Sequence, residues 1–237
     1  MNMQAQAILE LLHRVDEQRS LREADPALRA RVQAVKHYQH ERFQHTYADL
    51  LAQPRYAQAT RFFLDELYGP VDFTRRDTQF KRVVPALVRL FPREVVRTVQ
   101  TLGELHALSE ELDSAMGRVV PPGPVDLAGY AGAWQTVGRP ADREAQIMLM
   151  RRVADALDLH TRNPLLRHTL RLMRTPARLA GLPELQAFLE AGFDTFGAMR
   201  GAKDFLDTVV GRERALAAWL FAAQVPLVVD GRFPPAV

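Results

Sequence analysis

Proline and glycine punctuation constrains this chain more than any other feature. Asp25-Pro26 and Asn163-Pro164 each pair a helix-capping side chain with a proline at the first helical position. Pro54, Pro92 and Pro183 open further stretches of helical apolar spacing, and Gly69-Pro70 closes one. The pattern predicts helices over residues 3–19, 26–52, 54–69, 92–116, 126–137, 141–160, 164–173, 183–199 and 202–224. Another is expected to start at an Asp72 cap and to be broken or kinked at Pro85, which removes a backbone donor. No segment alternates apolar and polar residues over strand length. The best strand candidate, 225–229, carries Pro226 and runs into a proline-rich end, so 226–237 is read as an irregular tail. The expected fold is all-α, a multi-helix bundle of about 8–10 helices.

The run Val120-Pro121-Pro122-Gly123-Pro124 is the clearest linker. Helical halves often share one core, so a single all-helical domain over 1–237 is expected, with 117–125 as the place where a subdivision would fall. Apolar residues make up 47% of the chain, enough for a substantial core. No apolar run approaches the ~20 residues of a membrane helix, and the first 19 residues hold Glu10, Arg14, Asp16 and Glu17 rather than a signal core. The expectation is a soluble, cytoplasmic protein with no membrane partner. There is no cysteine, which excludes disulfides and thiolate metal sites. Only Lys36, Lys81 and Lys203 of the 31 basic residues are lysine. That bias fits a GC-rich genome rather than a phosphate-binding surface, so no nucleic-acid partner is expected.

Nucleotide-binding and hydrolase motifs are absent, and serine occurs only at Ser20, Ser109 and Ser114. His37, Glu41 and His45 fall four apart on one helix, but on its polar face, and are read as solvated. Glu10 and His13 form a single ExxH where a di-iron bundle needs two. No metal and no cofactor are assigned. Arg75, Arg82, Arg89, Arg93 and Arg97 form a basic stripe, read as a solvated face.

The informative signal is charge on apolar faces. Phe73, Phe80, Val84, Leu87 and Phe91 follow helical spacing, and Asp77 sits within that stripe. Val95, Val99 and Leu102 continue by fours and threes to His106. Leu206, Val209, Val210, Ala217 and Leu220 make a third stripe that contains Glu213. A buried unpaired charge is costly, so these groups must be paired or neutral. If they meet, they form a candidate binding site. The alternative is an ion-pair network that fixes helix register, with Arg76, Arg212 or Arg214 as partners.

Residues 62–68 read Phe-Phe-Leu-Asp-Glu-Leu-Tyr before Gly69-Pro70. This resembles the bacterial helical proteins named for an FFLEELY motif, with Asp65 in the place of one Glu. Asp72-Phe73, Arg76-Asp77, Gln79-Phe80 and Leu105-His106 extend the likeness, which is most specific over 54–116. The resemblance implies a helical fold and a bacterial origin, and no activity. Physically, Tyr56, Ala59, Phe63 and Leu67 form one stripe flanked by Phe62 and Leu64, an arc wide enough to be packed from two or three sides.

With no catalytic constellation, the expected function is that of a non-enzymatic helical protein acting through a protein partner, in regulation or assembly. The alternative is a small-molecule or haem-type ligand binder with an interior pocket near His106, bound through Asp77, His106 and Glu213.

Overall fold

The computed structural model describes residues 2–67, 69, 73–222 and 233–234, with Leu67 described by its backbone alone. Every regular element among them is helical. In chain order these are α1 (Met3–Ala24), α2 (Pro26–Thr46), α3 (Ala48–Ala52), α4 (Ala57–Phe62), a π-helical turn (Phe63–Leu67), α5 (Thr74–Leu90) and α6 (Arg93–Val119). After the proline-rich segment come α7 (Leu127–Val137), α8 (Pro140–Thr161), α9 (Pro164–Leu172), α10 (Arg174–Leu179), α11 (Pro183–Met199) and α12 (Lys203–Ala222). The caps work as the punctuation requires. Asp25 accepts from the backbone N–H groups of Ala27 and Leu28, Asp126 from Gly129, and Asn163 from Leu165.

The longest helix, α6, runs through the middle. It packs against α1 and α2 on one side and α8 on the other, while α8 in turn carries α11 and α12. Two apolar clusters draw on both sides of residues 117–125. One joins Phe43, Tyr47, Phe62, Phe63 and Leu105 to Ile147, Phe196 and Phe205. The other joins Val35, Tyr38 and Met116 to Tyr130, Trp134 and Leu220. At Gly117 the seam between α2 and α6 is so close that a Cβ would lie 2.4 Å from Val32 Cγ2. The Gly117 carbonyl there accepts from Arg31 Nε at 2.7 Å.

Several local expectations need correction. The helix expected to run to Ala52 is interrupted at Tyr47, which has φ −113° and whose buried ring stacks on Phe43. Of the break or kink expected at Pro85, the break does not occur: α5 continues through Pro85, which lies on an exposed face where water can serve the carbonyl left without a donor. Residues 174–179 form α10, where no helix was expected. The helix over 54–69 begins only at Ala57 and ends in the π-helical turn. The wide apolar arc of that segment is real: Phe62, Phe63 and Leu64 are consecutive and all buried, with Phe62 against Phe188 and Phe63 against Phe196 and Phe205. The Asp72 cap, the Leu67 side chain, the strand candidate 225–229 and most of the 226–237 tail lie outside the described residues. Among the described residues, no helix is long and apolar enough to cross a membrane.

Candidate functional site

The face of α6 that presents His106 also presents Glu110 and Asp113, four and seven residues on. Opposite them α2 sets Lys36, Gln39 and Arg42 at intervals of three, and α1 brings Arg19 and Arg22. The result is a ladder of buried ion pairs. At one end Asp77 of α5 accepts from Arg19 Nη2 at 2.7 Å and meets His106 Nε2 at 2.8 Å, both through Oδ2. In the middle Glu110 takes Arg22 Nη2 on one oxygen and Lys36 Nζ, at 2.7 Å, on the other. Arg22 also donates to Ser114 Oγ at 3.1 Å. Asp113 accepts from Gln39 at 3.3 Å and lies 3.6 Å from Lys36. At the far end Glu213 of α12 is held by Arg42 Nη1 and by the Tyr47 hydroxyl, each at 2.6 Å.

Burial and charge compete along this ladder. Burial pushes Asp77 up, but the hydrogen bonds and charges of His106 and Arg19 outweigh it and hold the carboxyl below its usual value. Glu110 is likewise opposed by burial, yet Lys36 and Arg22 bring it down to about 2. Asp113 goes the other way. Its burial is only partly offset by Lys36, and neighbouring Glu110 adds repulsion, so its carboxyl is pushed up. The burial of Arg42, which opposes its charge, is more than offset by Glu213, so its guanidinium is held charged.

A cavity of about 130 Å³ lies between these helices, and Asp77, His106 and Glu213 all line it, together with Lys36, Arg42 and Glu110. A second cavity of about 280 Å³ lies among α5, α6, α8, α9 and α11. It is walled almost wholly by apolar side chains and shares Phe80, Leu102, Leu105, Leu185 and Phe188 with the first.

The three residues singled out by helical spacing thus reach one cavity wall from three helices. Asp77 is buried, and the His106 and Glu213 side chains are 19% and 14% exposed. Of the partners expected, Arg76 pairs with Asp77, and neither Arg212 nor Arg214 pairs with Glu213. Glu213 pairs with Arg42, while Arg212 goes to Asp49 and Arg214 to Glu144. Arg76 stands 3.8 Å from Asp77, beyond the Arg19 contact. The inward-facing polar lines of α6 and α2 extend beyond the residues expected from sequence. Continuing the line past His106 lands on Glu110 and Asp113, and continuing Val32 and Val35 lands on Gln39 and Arg42.

Elsewhere, His37 lies 3.6 Å from Glu41, and the His45 ring stacks on Phe233. His13 pairs with Glu17 rather than with Glu10, which accepts from Gln6. Among the described residues there is no group of three or more His, Asp or Glu able to hold a metal. All five arginines of the basic stripe are exposed, and Arg82 donates to the Ala180 carbonyl.

Chemically, the site offers fixed donors and acceptors along one side of a small cavity that shares part of its apolar wall with a larger one. His106 Nε2 is engaged by Asp77, so that nitrogen is not presented to an iron as a haem ligand would be. No curated protein matches the chain, and no solved structure does. The sequence profile of a domain of unknown function, DUF8198, matches residues 18–226, and the chain belongs to that family.

Proposed function

We propose that this protein binds a small molecule in its interior, at the polar cavity beside His106. The observation that carries the reading is that Asp77, His106 and Glu213, from α5, α6 and α12, line a single cavity of about 130 Å³. A ladder that only fixed helix register would have no need of a space beside it. Interior cavities with a few convergent polar groups are the usual form of a ligand site. This favours the ligand-binding alternative over action through a protein partner. The haem variant is not favoured, because of the Asp77–His106 contact. The arginine-for-lysine bias and the motif at 62–68 support a bacterial origin, and the absence of cysteine fits a reducing cytoplasm.

The test is native mass spectrometry of the full chain purified from its host, followed by thermal denaturation against a panel of small polar metabolites. A retained molecule, or one that raises the melting temperature by several degrees, should lose its effect in Asp77→Asn and His106→Gln. If nothing is retained and no compound shifts the melting point, while both variants melt lower, the cluster is structural and the reading fails.

A further inference from the structure

The polar cavity does not end at its charged groups. Its wall of Phe80, Leu102, Leu105, Leu185 and Phe188 is also the wall of the larger apolar cavity. Of the few polar groups on the apolar side, Thr98, His160 and Gln186 are already engaged. Thr98 bonds the Glu94 carbonyl and faces His160 Nε2 at 3.1 Å, and Gln186 donates to Leu170 and Glu190. Burial lowers the His160 pKa, with Glu94 opposing, so this ring brings no charge to the apolar side at neutral pH. A wholly polar ligand would leave that space empty, and a wholly apolar one would leave the charged groups facing hydrocarbon.

The group at the junction is Arg76. Its guanidinium lies 4.0 Å from the centre of the Phe73 ring and 4.4 Å from that of Phe188, which lines both cavities. Among the described residues its hydrogen bonds all leave from Nη1, to the carbonyl and the carboxylate of Glu66 at 3.2 and 3.3 Å. The Glu66 side chain is 39% exposed, which screens that pair. Asp77, the nearest buried carboxylate, lies 3.8 Å from Arg76 Nε but is also bound by Arg19 and His106. Two mostly buried guanidiniums, Arg19 and Arg76, therefore share the one buried carboxylate of Asp77 at the junction. Such a place suits an anion better than a neutral or cationic group.

We infer that the two cavities form one site for an amphipathic monoanion, with its carboxylate on Arg76 and its apolar body in the 280 Å³ space. This rests on the reading of the polar cavity as a ligand site and adds the ligand's class. A cavity of about 150 Å³ takes up benzene, so the apolar space accommodates roughly ten carbons by the same measure. Access is from the α9 side. Leu166 and Leu170 close the cavity there, and α9 buries none of its residues.

Isothermal titration of the full chain with decanoate, 1-decanol and decylammonium tests this. Decanoate should bind about tenfold more tightly than decanol and decylammonium weakest of all. Arg76→Gln should weaken decanoate about tenfold and leave decanol unchanged. Leu170→Trp, which narrows the apolar space, should weaken both. If decylammonium binds wild-type chain as tightly as decanoate, the anionic head is refuted, and this comparison needs no variant to fold. If none of the three binds, the amphipathic class falls. In that case a polar metabolite that still depends on Asp77 and His106 would leave the interior-site reading standing alone.

Discussion

Along α6, His106, Glu110 and Asp113 are each met by a partner from α1, α2 or α5, whereas across the apolar cavity α9 buries none of its residues. The first region is tight: a Cβ at Gly117 would sit 2.4 Å from Val32. The second is loose. Leu165, Leu172 and Leu179 on α9 and α10 are 64–85% exposed, and 280 Å³ behind them is open. The contrast teaches where stability and accessibility reside. Groups that must hold a charge in a fixed place need neighbours that cannot move, while a space that must admit a ligand needs a wall that can.

The sharpest way to break this comparison is at Glu110. Glu110→Gln leaves both Arg22 and Lys36 short of a buried partner, and should cost about 3–5 kcal/mol in a urea titration. Its folded pKa of about 2 lies below the ordinary value of 4.5. The stabilisation is therefore complete above about pH 4.5 and is lost as pH falls toward 2. A shift of that size corresponds to roughly 3 kcal/mol, so the variant should unfold with a visibly shallower acid dependence than the parent. Asp113→Asn should change stability by less than about 1 kcal/mol at pH 7, because burial already opposes its charge and Lys36 keeps Glu110.

Next in size is a pair of truncations. Leu112→Ala on α6, fully buried, should cost about 2–5 kcal/mol, and Leu170→Ala on α9 under about 1 kcal/mol. Equal costs in denaturant titrations would mean that α9 is as firmly packed as α6. Hydrogen exchange sharpens the same point, since α9 amides should exchange at lower opening energy than those of α6.

The smallest effects come from one substitution made twice. Gly117→Ala forces a methyl into Val32 and its backbone, and should destabilise by about 1–3 kcal/mol. Gly197→Ala on the exposed side of α11 meets only Thr161 Cβ at 3.9 Å, and should stabilise by about 0.5–1 kcal/mol through helix propensity. Melting temperatures that move in the same direction for both would erase the distinction between the two regions.

Much of the helical order was legible before any coordinates. Asp25-Pro26, Asp126 and Asn163-Pro164 act through atoms two or three residues away, so their meaning is local. The burial of Asp77 was legible for a similar reason, because a 3.6-residue period puts it between Phe73 and Phe80 whatever the helix packs against. The interruption at Tyr47 was not legible, because Tyr47 keeps ordinary helical spacing from Phe43 and the partner of its hydroxyl, Glu213, lies 166 residues away. The same holds for α10, whose Ala177 is the only buried residue of a short and otherwise exposed segment.

By itself, then, the sequence determined that this chain is helical, where most of its helices start, and which faces carry a charge inward. Those properties depend on backbone dihedrals, capping side chains and a fixed angular period. Only the tertiary structure decided that Glu213 pairs with Arg42 and not with Arg212 or Arg214, that Asp77 meets Arg19 and His106, and that a space remains beside them. Partners separated by 29 to 171 residues are chosen by how helices cross, and a cavity is what their side chains together fail to fill. Neither is a property of any single segment.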